Sequence, residues 1–567
     1  MKENRLNTLL PKLINSLFTD FGIFIFSFCT LFILYLPAAK AGFVTDFTGW
    51  LEDEKTHSFL DIINRTYYHG QSFYQVTQFN TYLFYKLLGV NTWYWHVLFL
   101  MIHSINTVLL FKLCKHLFYY TGIKEANAIA FIAILLFNVS PYLSEVVIWE
   151  PSFHFLQGLF FILLILNWLF KYGHNGNKKY AIWAFIVYFL STFSLEIFYI
   201  TPWLVLVIYF YLRFNKSAER QNAKNILLLF FLPQLLLFAV HIVAIKWVYG
   251  GWVAHIGSNA VVTAPFTGLG KPAKYLFHLL FVGRFFPTEY KNNVYAFCDS
   301  NLGMIAFYTF LATIMTLVVI YFNKMNAKCQ ILSLLFSLML ITTFILIPLW
   351  FSTILLVYCD RYLYFTEPFF YVFVAILFSL ISVKLIKTVL ISLFAIVNLR
   401  FAIQVSRYWG KAERVIAGLH TTLPEEKTKK ILLLNIPECL NGVPMLGAEK
   451  ESEFKLIHNL LFPDNKISTP LYDCMAYNMT SPTDGANVIV MNDSTIRVTL
   501  NQWGTWWWFA TQGGISYENT DYKLNVKDVG HFYELTLKKP ANNYVLLYQV
   551  GDSWKKVDWS VGDRLQE

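Results

Sequence analysis

Phe43-Val44-Thr45-Asp46-Phe47-Thr48-Gly49-Trp50 follows the first long apolar run of the chain, Phe21 to Leu36, and opens a polar loop. An acid held between aromatics and a glycine at the mouth of a membrane bundle is costly to keep unless chemistry uses it. Whether the preceding run stays or is removed decides the fold. Lys2, Arg5 and Lys12 come before it, and Ala38-Ala39-Lys40-Ala41 resembles a cleavage site, but the run is long and its basic flank extended. Those features favour an uncleaved membrane helix with a cytoplasmic N-terminus.

The remaining sequence repeats that run. The 567 residues are 56% hydrophobic and 19% aromatic but only 14% charged, and apolar runs of about 18 to 25 residues recur. This predicts a polytopic α-helical membrane protein. The net charge of +10 sits mostly in short clusters between apolar runs, where the positive-inside rule expects cations, so it gives no reason to invoke nucleic acid. The seven cysteines have no metal-ligand spacing; Cys439 and Cys474 are either a pair outside the cytoplasm or two unpaired thiols.

Further apolar runs lie near 93–113, 127–143, 153–170, 180–196, 198–213, 225–248, 302–323, 330–358, 365–383 and 386–404, giving about eleven helices. Alternate connections carry Lys112, Lys115 and Lys124; Lys171, Lys178 and Lys179; Arg213, Lys216, Arg220 and Lys224; Lys324 and Lys328; and Lys384 and Lys387. All fall on the side of the N-terminus in this count. The stretch Phe193 to Trp203, with Glu196 between two apolar runs, is either a tight outer turn or one kinked helix. The second choice would invert everything after it.

With the tight turn, the loops outside the cytoplasm are 38–92, 144–152, 249–301, 359–364 and the tail. Aromatic and charged residues alternate in the first, where His57 lies, and Tyr275 to Phe286 in the third precedes Pro287 and contains Arg284; both suit helices lying in the membrane interface. Glu52-Asp53-Glu54 is either a divalent-cation site or a solvated acidic run. The expected division is a membrane domain over 1–410 and an extracytoplasmic β-rich or α+β domain over 425–567. Strand-like runs such as Thr495 to Leu500 and Tyr544 to Tyr548, separated by Asn-Gly, Asp-Gly and Gly-Gly turns, define the second. Trp503-Gly504-Thr505-Trp506-Trp507-Trp508 within it is either a sugar-stacking platform or core.

No phosphate-cradling glycine loop, dinucleotide fingerprint or HExxH zinc motif stands in usable context. What remains is a set of acids and one arginine at the outer membrane boundary: Asp46, then Glu145 and Glu150 in Asn138-Val139-Ser140-Pro141-Tyr142-Leu143-Ser144-Glu145-Val146-Val147-Ile148-Trp149-Glu150, then Asp360-Arg361-Tyr362-Leu363-Tyr364-Phe365. A carboxylate can deprotonate a hydroxyl, and a guanidinium can meet phosphate oxygens through two parallel hydrogen bonds. Together they suit transfer of a group away from a lipid phosphate. Each residue also has a plainer reading, as a helix cap for Asp46, a boundary acid for Glu145 and Glu150, or a snorkelling cation for Arg361.

Across residues 15–410 the chain resembles the GT-C membrane glycosyltransferases, nearest the branch of protein O-mannosyltransferases and the transmembrane O-mannosyltransferases with tetratricopeptide repeats. The resemblance rests on Asp46 in the first outer loop, Ser140-Pro141-Tyr142-Leu143-Ser144-Glu145-Val146-Val147-Ile148-Trp149 in the second, and Asp360-Arg361-Tyr362-Leu363-Tyr364 before a late helix. It implies inverting transfer of a sugar from a polyprenyl-phosphate-linked donor to a hydroxyl of an extracytoplasmic protein, lipid or glycan. Asp46 and Glu145 would be catalytic, Arg361 and Arg284 would bind the donor phosphate, and Glu150, His57 and Tyr362 would position acceptor or donor. No metal ligand is assigned. Two departures stand out: Asp46 is followed by Phe47 where such families often pair acids, and the strand-rich tail replaces the tetratricopeptide repeats. The expected setting is a bacterial inner membrane with the tail in the periplasm, since no organellar sorting feature is evident. The competing classes are a lipid-linked glycan flippase, which would need polar residues at mid-membrane depth beyond Glu196, Gln234 and His241, and a membrane-anchored glycan-binding module.

Overall fold

A computed structural model describes residues 18–45, 55, 58–64, 73–119, 122–123, 125–194, 196–214, 225–250, 269–344, 360–423, 428–447, 452–500, 516–528 and 532–559. Asp46, Glu52 to Glu54, His57 and Trp503 to Trp508 lie outside these residues. The chain is mostly helical, followed by a strand-rich C-terminal region. Among the described residues, six helices are long and apolar enough to cross a membrane: 20–38, 92–119, 150–175, 227–249, 301–324 and 384–422. Five shorter apolar helices accompany them, at 126–138, 179–191, 198–214, 327–343 and 367–379.

Local chemistry sets several ends. α1 (Asp20–Tyr35) starts at Thr19, whose side chain accepts from the Gly22 amide at 3.0 Å, and gives way to a short 3-10 turn containing Pro37. In the bundle, α2 (Thr92–Tyr119) packs on α1, on α3 (Ala126–Asn138) and on α4 (Phe153–Asn175). Polar side chains tie these apolar faces in register: the Ser27 hydroxyl donates to Asn138 Oδ1 at 2.8 Å and that of Thr107 donates to the same atom at 3.2 Å. By contrast, Asn301–Tyr321 carries Ile305, Phe310 and Val319 on open surface, as a helix facing lipid does.

The break near Glu196 has a defined place. One helix ends at Ser191, a 3-10 turn covers Glu196–Ile200, and a new helix runs Thr201–Phe214. The Val76 amide donates to the Phe193 carbonyl at 2.9 Å, and the Thr77 hydroxyl donates to the Ser194 carbonyl at 3.0 Å. The turn therefore lies at the same end of the bundle as the helix Gln75–Leu88, where Trp149 also donates to the Val44 carbonyl at 3.1 Å.

The last membrane-length helix, α5 (Lys384–Thr422), continues well past the apolar run near 386–404. Its later turns bury Ala412, Val415, Ile416 and Leu419, at the spacing of one helical face. Trp554 donates to the Val415 carbonyl at 2.8 Å, and Lys411 pairs with Asp552 at 2.8 Å, so α5 carries the strand-rich region directly. At Gly410 the Pro37 carbonyl oxygen would lie 2.3 Å from an added Cβ, which is why a residue without a side chain stands there.

β1 (Lys430–Leu433) has parallel neighbours on both sides, β11 (Tyr544–Val550) and β4 (Leu471–Asp473), and β12 (Ser553–Lys556) pairs antiparallel with β11. A five-stranded antiparallel sheet is ordered β6-β7-β10-β9-β8, from Ala486–Val490 through Thr495–Leu500, Phe532–Leu537 and Tyr522–Asp528 to Tyr517–Glu518. β2 (Ile436–Leu440) lies between β3 (Val443–Pro444) and β5 (Ala476–Met479). Cys439 and Cys474 are buried and no disulfide joins them, so the paired alternative does not hold; the Cys439 thiol donates to Asn478 Oδ1 at 2.9 Å.

Candidate functional site

Three segments distant in sequence meet at the end of the bundle that holds Val44 and Trp149. Pro141 and the short helix Ser144–Ile148 present Glu145; the amphipathic helix Lys271–Leu280 presents His278 and then turns sharply to Arg284; a 3-10 turn over Asp360–Phe365 presents Asp360 and Arg361. The sharp turn uses positive φ at Val282, 48°, a strained choice for a β-branched residue. It is held by the Gly283 amide donating to the His278 carbonyl at 2.9 Å and by Lys291 donating to the Gly283 carbonyl at 3.2 Å.

The side chains form one continuous network. Arg284 Nη2 is 3.0 Å from Glu145 Oε1, and its Nε and Nη2 both lie 2.6 Å from Asp360 Oδ2. Arg284 Nη1 donates to the Asn441 carbonyl at 3.0 Å, joining the site to the strand-rich region. The other oxygen of Glu145 accepts from Arg361 Nη1 at 3.1 Å and from the Arg361 amide at 3.3 Å, while the Asp360 amide donates to Oε1 at 3.1 Å. His278 Nε2 meets Asp360 Oδ1 at 2.8 Å, and its Nδ1 meets the Tyr295 hydroxyl at 3.1 Å.

Two carboxylates and two guanidinium groups balance in formal charge, which is the condition for burying such a set. The Asp360 and Glu145 carboxyl groups are nonetheless displaced in opposite directions. Burial works against the charge of Asp360, but Arg284 and His278 prevail and hold its pKa below the usual range. At Glu145 burial prevails, helped by the negative charge of Asp360 and opposed by Arg361 and Arg284, and its pKa is raised. Lys291 beside them is drawn down to about 8 by burial and by Arg284, with Asp360 opposing. Asp360 is thus the fixed anion and Glu145 the more readily protonated partner.

Arg361 is the open member of this set. Its side chain is 13% exposed against 1% for Arg284, and its guanidinium carbon stands 4.8 Å from the Trp149 ring centroid and 5.1 Å from that of Tyr362. Tyr362 therefore sits within the site as a ring packed on Arg361. Arg284, expected beside Arg361 as a phosphate contact, directs its donors at Glu145, Asp360 and Asn441 in this arrangement. Glu150 stands apart from the network. Its carboxyl is buried without a hydrogen-bond partner among the described residues, 3.8 Å from His96 Nε2.

His278 and Asn441 escaped the sequence reading. His278 lies six residues before Arg284 on the same interfacial segment, a spacing that gives a weak hint; nothing local marks a backbone carbonyl as a partner for a distant arginine. Among the described residues no group of three or more His, Cys, Asp or Glu side chains is placed to hold a metal ion. Chemically, the network can present one cation, Arg361, at its open edge while fixing that cation's position from behind. No known family model matches the chain, and no curated protein matches its sequence.

Proposed function

We propose that this chain is an inverting membrane glycosyltransferase of GT-C type, with about eleven helices and an active site on the side of the membrane away from the N-terminus. One observation supports the reading most. The Trp149 indole joins the three motifs: its N–H donates to Val44, two residues before Asp46, its ring carries Arg361, and it belongs to the Glu145 segment. Segments 105 and 212 residues away from Trp149 in sequence thus converge on one side chain, as segments that serve one site do.

In this reading the acceptor oxygen bonds to the anomeric carbon of the sugar as the bond from that carbon to the donor phosphate breaks, and polyprenyl phosphate leaves. Asp46 takes the acceptor proton, and Arg361 stabilises the charge gathering on the phosphate. Glu145 positions Arg361 from behind, Arg284 and Asp360 lock Glu145, and Tyr362 fixes the guanidinium plane. The test is release of polyprenyl phosphate from a labelled polyprenyl-phosphate sugar by the purified chain. Asp46→Asn is expected to insert and fold normally without transfer; transfer at the natural rate by that variant overturns the assignment. Movement of intact lipid-linked sugar across vesicles without release would favour a flippase instead.

A further inference from the structure

One stripe of α5 changes character along its length. Leu385, Val389, Leu393 and Ile396 are exposed apolar residues at helical spacing, and the same stripe continues through Arg400, Ile403, Arg407, Lys411 and Arg414. Arg400, Arg407 and Arg414 are exposed at seven-residue intervals, about 10 Å apart along the axis. With them, Ile403, Tyr408 and Pro482 of the strand-rich region line an open groove of about 740 Å³. Lys411 pairs with Asp552, which Arg414 also faces, whereas Arg400 and Arg407 have no acidic partner among the described residues.

We propose that this groove binds an anionic membrane phospholipid, with its phosphate between Arg400 and Arg407 and an acyl chain along Leu385 to Ile396. A ligand must be apolar along one half of the stripe and anionic along the other, and an anionic lipid has that division in one molecule. The change falls about sixteen residues, roughly 24 Å, into the helix, close enough to the far edge of a hydrocarbon core of about 30 Å for the long arginine side chains to reach the headgroups. Basic residues there attract acidic headgroups. A soluble polyanion would match the arginines but make no use of their place at the end of an exposed apolar stripe. The proposal does not depend on the glycosyltransferase reading.

The test uses the full-length chain in mixed micelles containing equal phosphatidylglycerol and phosphatidylcholine, with retained lipid counted by mass spectrometry. Phosphatidylglycerol is expected to be enriched, and R400Q/R407Q to reduce that enrichment about tenfold, while K555Q/K556Q on the exposed edge of β12 leaves it unchanged. R400K, which keeps the charge, should restore most of the loss seen in R400Q. An unaltered thermal midpoint for R400Q/R407Q establishes that the loss is local. The proposal is overturned if neither lipid is preferred, if R400Q/R407Q binds as before, or if inorganic polyphosphate displaces the lipid at equal phosphate concentration.

Discussion

Glu145 holds Arg361 at two points, its Oε2 accepting from the backbone amide at 3.3 Å and from the guanidinium at 3.1 Å. A side chain gripped at both ends of its own residue cannot swing away without also moving the turn that carries it. The exposed guanidinium is therefore presented in one pose, at the cost of burying the acid that holds it.

Removing that acid tests the grip. Glu145→Ala leaves Arg284 and Arg361 facing each other with Asp360 as the remaining buried anion, and is expected to lower stability by about 3–5 kcal/mol, the range for breaking a buried ion pair. Glu145→Gln keeps the shape and one acceptor, and should cost clearly less. Urea unfolding of both variants in micelles checks the order; equal losses would mean that the charge is immaterial.

Arg361→Lys separates charge from geometry. The lysine keeps the positive charge but loses the planar stack on Trp149 and Tyr362 and the second donor. If the proposed transfer is correct, kcat/KM should fall by about 10- to 100-fold with little change in thermal midpoint. A rate within twofold of the natural chain would remove Arg361 from the chemistry.

Asn441 tests the link to the strand-rich region. Its φ of 47° is one that asparagine and glycine tolerate and β-branched residues do not. Asn441→Gly should be nearly neutral, whereas Asn441→Val should cost about 1–3 kcal/mol, because the carbonyl that Arg284 uses would shift. Thermal unfolding of the two variants decides it.

The strand-rich region should respond to acid through Asp521. Burial opposes its charge, yet hydrogen bonds from Lys430 and Tyr472 hold its pKa down to about 2. A carboxyl depressed on folding stabilises the native state above its unfolded value near 4, and that contribution is lost as pH falls from about 4 to about 2. With solvent screening allowed for, about 1–2 kcal/mol is at stake. Urea titrations at pH 5 and pH 2.5 should show Asp521→Asn with a flatter pH dependence than the natural chain.

The helices were legible because apolar runs declare themselves, and charged residues at their ends stood out for the same reason. Glu145, Arg284, Asp360 and Arg361 were visible as boundary charges, but their pairing was not, since it depends on how segments 76 to 216 residues apart converge. The extension of α5 to Thr422 was hidden by its amphipathic second half, whose apolar face is too narrow to read as a membrane run. The Asn441 carbonyl was invisible in principle, because a backbone acceptor has no residue identity.

That carbonyl also orders events in time. Arg284 is synthesised 157 residues before the atom that satisfies its Nη1, and Asn441 lies just beyond β2 in a region whose first strand pairs with Tyr544–Leu547. A nascent chain can insert every helix of the bundle, and with them every charged member of the cluster, and still lack the Asn441 carbonyl. Completion of the site thus waits for the end of translation, and a chain terminated before Asn441 would embed in the membrane with Arg284 held by Glu145 and Asp360 but without this tie to the strand-rich region.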